Sequence, residues 1–262
     1  MSIERTSDFL FELRRDNRSV AALPDELCPL DLNSAYDAQA LLVDRLCAHC
    51  TGQRAGYKIA STNPAAQSML GVSHPVYGTL ISSTCYDSGV TLVASNYCTR
   101  IAEVEFAFVM ASDVPRSGAP HSAISLAKHV ASLHPAIEIV DHRFAALDRL
   151  NARSLAADNA IHGCFVKGPP AVDWHDHDLS SHAVRLLVND AEIVAGAGDR
   201  PLGHPLAALA WLANELPAHD LDLRAGDCVT TGLATDGIYN AARGDHLVGD
   251  FGALGQVELH FA

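Results

Sequence analysis

The chain has 262 residues, 48% of them hydrophobic and 19% charged, a balance that supports a folded body with a sizeable core and excludes intrinsic disorder. Eighteen basic against 31 acidic side chains leave a net charge of -13, so no basic surface is on hand for a phosphate backbone, and neither nucleic acid nor an anionic membrane is an expected partner. Residues 1–20 mix charges among apolar side chains and no run approaches the roughly 18 apolar residues of a membrane span, which predicts a cytoplasmic protein.

In chain order, helical periodicity covers Thr6–Arg15 and then Ser34–Cys50, where Ser34 can cap the first turn and Leu41, Leu42 and Leu46 share one face. Residues 1–54 therefore read as an N-terminal helical layer and 55–262 as the main body. Cys47 and Cys50, with His49 between them, close the second helix. No second Cys/His pair lies at zinc-site spacing, and a redox motif opens a helix instead of closing one, so the pair reads as structural. The odd set of seven cysteines without an export signal reads as reduced thiols.

From Gly56 the texture changes to short β-rich segments separated by Gly, Pro and Asn/Asp turns: Gly56–Ala60, Val90–Ala94, Ile101–Ala111, Ala136–Val140, Gly163–Lys167, Ala183–Val188, Cys228–Thr231 and Gly255–Phe261. Ser122–Leu133 and Pro205–Leu216 carry helical periodicity, and Asn189-Asp190 between two apolar runs reads as a hairpin turn. Helices and strands do not alternate strictly, which predicts an α+β fold with a mixed sheet. The chain contains no G-x-S-x-G elbow, no P-loop and no H-E-x-x-H, and Gly196, Gly198 and Gly203 miss the dinucleotide spacing.

Three strands carry charge where a strand interior is costly. Glu103 and Glu105 sit two residues apart in Ile101–Ala111, so period two puts both on one face while Val104, Phe106 and Phe108 point into a core. That face is either solvated or lines a site, since adjacent buried carboxylates repel unless a cation holds them. Glu138 lies in the middle of a second β-branched run, and carboxylates converging from two strands would make a hard-oxygen site suited to Mg²⁺ or Mn²⁺. Lys58, one of three lysines in the chain, lies in an apolar run before the turn-prone Ser61-Thr62-Asn63-Pro64. It is either a snorkelling surface lysine or a partly buried one whose pKa a neighbouring metal would lower into the acid/base range. His175 and His177 stand in a polar loop, and His134 and His204 each precede a proline, so structural roles are expected for these histidines.

These residues carry a family resemblance. Gly56-Tyr57-Lys58-Ile59-Ala60-Ser61-Thr62, Gln67 to Gly71 with Pro75 to Leu80, Arg100-Ile101-Ala102-Glu103-Val104-Glu105, Ile137 to Arg143, Asp158-Asn159-Ala160, Leu202 to Pro205 and the terminal Gly255 to Leu259 resemble successive motifs of the fumarylacetoacetate hydrolase superfamily, in its hydratase/decarboxylase branch. The resemblance runs from about residue 30 to the end. It implies a mixed-sheet roll or sandwich under the helical layer, a homo-oligomer, and a divalent ion, Mg²⁺ or Mn²⁺, held by Glu103, Glu105 and Glu138. It further implies a small 2-oxo or 2-hydroxy acid as substrate, with Lys58 as acid/base or carboxylate-positioning cation and Ser61, Thr62, Arg143 and Asp158 as substrate contacts. The expected reaction is hydration of a short 2-hydroxydienoate such as 2-hydroxypenta-2,4-dienoate in aromatic-compound catabolism. A 2-oxo-enedioate decarboxylase, which an Arg143 in the pocket would favour, and a catalytically weak partner subunit of a pathway enzyme are the alternatives. Three positions depart from the family pattern: Ala60 replaces a Gly, Ser83 stands where the family carries an acid/base Asp, and bulky Ile161 precedes His162, which could supply a replacement base.

Overall fold

A computed structural model of the chain describes residues 2–70, 72–145, 150–171 and 173–262; Gly71, which ends one of the family-like segments, lies outside the described residues. The chain begins with two helices. Helix α1 (Ile3–Arg15) is capped by Ser2, whose hydroxyl accepts from the Arg5 amide, and it ends on Arg14 and Arg15, which suit the negative end of the dipole. Helix α2 (Leu32–Cys50) starts one turn earlier than the Ser34 cap predicts. Asp31 is the cap, its carboxylate accepting from the Ser34 amide at 2.8 Å, and Ser34 completes a reciprocal box by accepting from the Asp31 amide at 3.2 Å.

The body then follows: β1 (Arg54–Ala60), α3 (Pro64–Leu70), β2 (Val76–Ile81), β3 (Cys85–Asp87), β4 (Val90–Leu92), β5 (Ile101–Met110), α4 (Ala123–Ala127), β6 (Val130–Val140), α5 (Ala152–Ala157), β7 (His162–Lys167), β8 (Ala183–Val188), β9 (Ala191–Ala197), α6 (Pro205–Glu215), β10 (Cys228–Thr230), β11 (Tyr239–Asn240), β12 (His246–Asp250) and β13 (Gln256–Phe261). The larger sheet runs β2-β1-β10-β5-β6-β7-β3, with β11 also paired to β5. Pairs β1/β10 and β3/β7 are parallel and the other pairs antiparallel. The smaller sheet runs β4-β13-β12-β8-β9, parallel only at β4/β13. The fold is thus α+β with mixed sheets, as the irregular order of elements predicts.

The hairpin expected at Asn189-Asp190 joins β8 to β9, and both residues adopt left-handed backbone (φ 50° and 69°), as a type I′ turn requires. The helix expected over Ser122–Leu133 is cut short: α4 stops at Ala127 and β6 has begun by Val130, because pairing with β5 takes residues 130–133 into the sheet. His134 consequently lies within a strand, bonded to Ser132 Oγ and the Gly168 carbonyl, and His204 caps α6 by accepting from the Leu206 amide.

Strand β5 divides the molecule. Val104, Phe106 and Phe108 are fully buried on the face turned to the smaller sheet, where Phe106 meets Phe251 edge to face at 5.0 Å. On the opposite face Ala107 joins Leu80, Ala136, Phe165 and Cys228 in a second apolar cluster beside the carboxylates. Close approach of strands sets this geometry at Gly56, which has φ +136° at a bulge in β1 and whose added Cβ would lie 1.9 Å from the Cys228 carbonyl oxygen. Gly56→Ala is expected to destabilise the fold by about 2–4 kcal/mol, from backbone strain and overpacking together, read as a lowered urea midpoint at unchanged m-value.

Candidate active site

Register brings the charged strands together. Glu103 stands directly opposite Glu138 in the β5/β6 ladder, and Lys58 on β1 is level with Thr230 on β10, which is level with Ala107 on β5. Carboxylate oxygens of Glu103, Glu105 and Glu138 lie within 4.8 Å of one another. Glu105 and Glu138 are wholly buried, whereas Glu103 reaches the floor of a cavity of about 660 Å³.

Like charges opposite each other on a strand pair destabilise it, so the surroundings matter. Glu105 Oε2 accepts from the Thr230 hydroxyl and, at 2.6 Å, from the Gly232 amide. Glu138 Oε1 accepts from His162 Nδ1 at 2.9 Å, and Lys58 Nζ lies 3.2 Å from Glu138 Oε2 and donates to the Ala160 carbonyl at 3.1 Å. Each of the two buried carboxylates thus has one well-bonded oxygen, and Glu105 Oε1 and Glu138 Oε2 make no hydrogen bond of good geometry. Three carboxylates this close, with Glu105 Oε1 unpartnered and Glu138 Oε2 facing only the Lys58 ammonium, fit a hard divalent cation, which takes oxygen ligands and keeps other positions open.

The titration behaviour follows from the same crowding. Burial, then the neighbouring Glu138 and Glu103, hold Glu105 well above the carboxylate range. Burial raises Glu103 to about 7 against the pull of Lys58. Burial also works to raise Glu138, but Lys58 and His162 outweigh it and hold the group low. For Lys58 burial favours the neutral form, and the field of Glu138, Glu103 and Glu105 overrides it, so the ammonium is held above its ordinary value. The three acidic neighbours by themselves thus pull Lys58 in the direction opposite to the lowering that a neighbouring metal would produce. His162 is held low by burial against Glu138, and the neutral ring donates from Nδ1 to Glu138 while Nε2 faces Thr84 Oγ1 at 3.2 Å.

Not every expected residue joins the site. Lys58, Ser61, Thr62 and Glu103 line the cavity, and the buried Thr62 hydroxyl has no partner. His162 lies behind Glu138 instead of in the cavity wall. Ser83 faces away, its hydroxyl 2.8 Å from Cys50 Sγ at the end of α2. Arg143 turns to Asp141 at 2.6 Å and Asn17 at 3.2 Å, and Asp158 binds Arg14 at 2.6 Å, so both serve a buried ion network beside α1 and neither lines the cavity. Residues not foreseen include Arg200 on the cavity rim, bonded to Asp236 at 2.6 Å and to Asp199, and the Thr230 and Gly232 donors. Only the expected strand Cys228–Thr231, followed by Gly232, hinted at the last two, since which carboxylate they reach depends on tertiary contact.

The fumarylacetoacetate (FAA) hydrolase C-terminal family matches residues 53–262. The chain belongs to the fumarylacetoacetate hydrolase family. Among relatives in this family, 2-keto-4-pentenoate hydratase 1 of Dechloromonas aromatica (strain RCB) is 32% identical, over 100% of this chain and 98% of the relative. The 2-hydroxyhexa-2,4-dienoate hydratase of Comamonas testosteroni is 31% identical over 99% and 97%. Among solved structures, 4-oxalocrotonate decarboxylase from Pseudomonas putida G7, complexed with magnesium and adipate, superposes with a TM-score of 0.92 at 23% identity, covering 99% of this chain and 97% of that one. Fumarylpyruvate hydrolase from Pseudomonas aeruginosa, in complex with Mn²⁺ and pyruvate, gives 0.62 at 16% identity over 80% and 89%. Among the described residues no helix is long and apolar enough to cross a membrane.

A carboxyl raised on folding holds a proton that the unfolded chain has already released, so stability falls as pH climbs from the ordinary carboxylate range to the raised value. In chelator-treated protein Glu103→Gln should therefore match wild type in Tm near pH 5 and exceed it by about 2–4 °C near pH 8, the shift that ~1 kcal/mol produces in a chain of this size. Equal Tm values at both pH values would show that Glu103 is not an uncompensated charge.

Proposed function

We propose that this lyase is a hydratase that adds water to a short 2-hydroxy-2,4-dienoate such as 2-hydroxypenta-2,4-dienoate, in the breakdown of aromatic compounds, with Mg²⁺ or Mn²⁺ held by Glu103, Glu105 and Glu138. The observation that carries the reading is the three-carboxylate cluster, which reaches a mainly apolar cavity through Glu103 and beside which, among the described residues of the cavity lining, Lys58 is the buried cation. The names of the curated relatives supply the reaction class. When bound, the divalent ion would supply Lewis acidity toward the carboxylate and 2-oxygen of the substrate.

The remaining chemistry belongs to the chain. Hydration needs a proton at C5 of the dienol and loss of the 2-hydroxyl proton, which together give a conjugated ketone, then water at C4, which keeps the hydroxyl and gives up a proton, and a proton at C3. Lys58 keeps its proton among the carboxylates, and its position beside Glu138 makes it the donor, or the cation that orients the substrate carboxylate. The unpartnered Thr62 hydroxyl offers a hydrogen bond to the bound acid. Ile101, Val140, Leu155, Ile161 and Leu233 exclude bulk water around the diene.

This wall favours the hydratase over the dicarboxylate decarboxylase. A second substrate carboxylate would need a free cation, and among the described residues Arg143 lies elsewhere while Arg200 is already paired with two aspartates. With Ser83 outside the cavity, its departure from the family pattern is no argument for a catalytically idle partner subunit. A cytoplasmic homo-oligomer completes the reading, and light scattering after gel filtration reads the assembly.

With freshly generated 2-hydroxypenta-2,4-dienoate, the dienol absorbance should fall in the presence of Mg²⁺ or Mn²⁺, yield a 4-hydroxy-2-oxo acid, and persist in excess chelator. Glu105→Ala should lose Mn²⁺ binding and turnover together. Lys58→Ala should bind Mn²⁺ and lose on the order of 10²–10⁴-fold in kcat. Retention of both properties by Glu105→Ala would falsify the site assignment.

A further inference from the structure

Between α5 and β7 the backbone does something costly. Asn159, Ala160 and Ile161 all adopt left-handed conformation (φ 53°, 48° and 53°), three in succession without a glycine and the last β-branched. L-residues avoid this region because Cβ approaches the carbonyl oxygen, and such a run persists only where surrounding contacts over-determine it. The turn is also wholly buried.

Its contacts divide in two. Outward-facing ones hold the shape: Asn159 bonds both the amide and the carbonyl of Thr79, at 2.7 and 2.9 Å, and Gly78 admits the Asn159 carbonyl oxygen, which would lie 2.5 Å from any Cβ there. The widest grip comes from Arg14 on α1. Its Nε donates to Asp158 Oδ1 at 2.6 Å, Nη2 to the Asp158 carbonyl at 2.7 Å and Nη1 to the His162 carbonyl at 2.8 Å. One planar guanidinium thus ties the residue before the turn to the residue after it, fixing the span of the three between. Inward-facing contacts reach the site: the Ala160 carbonyl accepts from Lys58 Nζ, Ile161 forms cavity wall, and His162 orients Glu138.

We infer that Arg14, outside the cavity on the N-terminal helix, is a positioning residue that clamps the left-handed turn 159–161 and thereby sets Lys58, Ile161 and His162 for turnover. The clamp stands on geometry alone; its effect on turnover rests on the hydratase reading above. Lysine cannot replace it, because a single ammonium does not span three acceptors on two residues.

Arg14→Met, Arg14→Lys and the double variant Arg14→Met/Ala160→Gly test this. Glycine takes positive φ freely, so Ala160→Gly lowers the cost of the turn without touching the cavity wall. Arg14→Met should lose roughly 10- to 100-fold in kcat, the loss typical of removing a group that orients site residues, with Mn²⁺ still bound by electron paramagnetic resonance. Amide hydrogen exchange should accelerate across 158–162. The double variant should recover most of the kcat but not the Tm, since buried Asp158 stays unpaired. Arg14→Lys keeps that charge partner, so it should fold close to wild type yet still exchange faster and turn over more slowly. Wild-type kcat in Arg14→Met with a lowered Tm, or no recovery in the double variant, overturns the inference and leaves Arg14 as packing. If wild type hydrates no dienol, the hydratase reading fails, and unchanged exchange at 158–162 in both single variants would separately overturn the clamp.

Discussion

Two glutamates face each other across a ladder in a protein interior, with a third one step away, and the rest of the molecule accommodates that repulsion. Left in water, such carboxylates would separate; held at strand spacing in a poorly solvated place, they must protonate, find donors or share a cation. Each solution is present. Glu103 and Glu105 are pushed toward the neutral form, and Glu138 stays charged between Lys58 and His162. The arrangement costs stability, a cost that a cation shared among the three carboxylates would offset.

A rigid frame is needed to keep the charges from relaxing apart. Strand β5 supplies it by having two working faces, one locked by Phe106 and Phe108 against the smaller sheet and the other carrying Glu103 and Glu105. Neighbouring strands each bring one participant: Lys58 from β1, Thr230 from β10, Glu138 from β6, His162 from β7. The sheet is thus a ruler for a polar site, and glycines at 56 and 232 let backbone approach where a side chain would not fit. The family match covers this sheet-bearing region, 53–262. The superposition with 4-oxalocrotonate decarboxylase also spans the preceding helices, from one of which Arg14 reaches the site's supporting turn.

Several residues that looked functional in sequence are held in contacts away from the cavity. Arg143 and Asp158 are charged, lie beside family-like motifs and would suit an acid substrate, yet both are consumed by the ion network of Arg14, Asp141 and Asn17. Ser83 sits one residue from Thr84, the side chain that does face His162, and the short helical turn between β2 and β3 rotates the two hydroxyls to opposite sides. Lys58 was legible as an oddity, but the direction of its titration was not, because that depends on how many carboxylates face it across the sheet.

What the sequence determined by itself is what local periodicity can carry. Period two in Ile101–Met110 placed Glu103 and Glu105 on one face and the aromatic residues on the other, Asn189-Asp190 demanded a left-handed hairpin, and the irregular succession of strands and helices required a mixed sheet. Tertiary structure alone decided the register that sets Glu103 against Glu138, the crossover that lays β10 between β1 and β5 and so gives Glu105 its Thr230 and Gly232 donors, and the reach of Arg14 to a turn some 144 positions away. The physical reason is one of range. Side-chain direction within a strand follows from the backbone a few residues either side, whereas the partner of a buried charge is set by which distant segments share the core, and no local pattern encodes that choice.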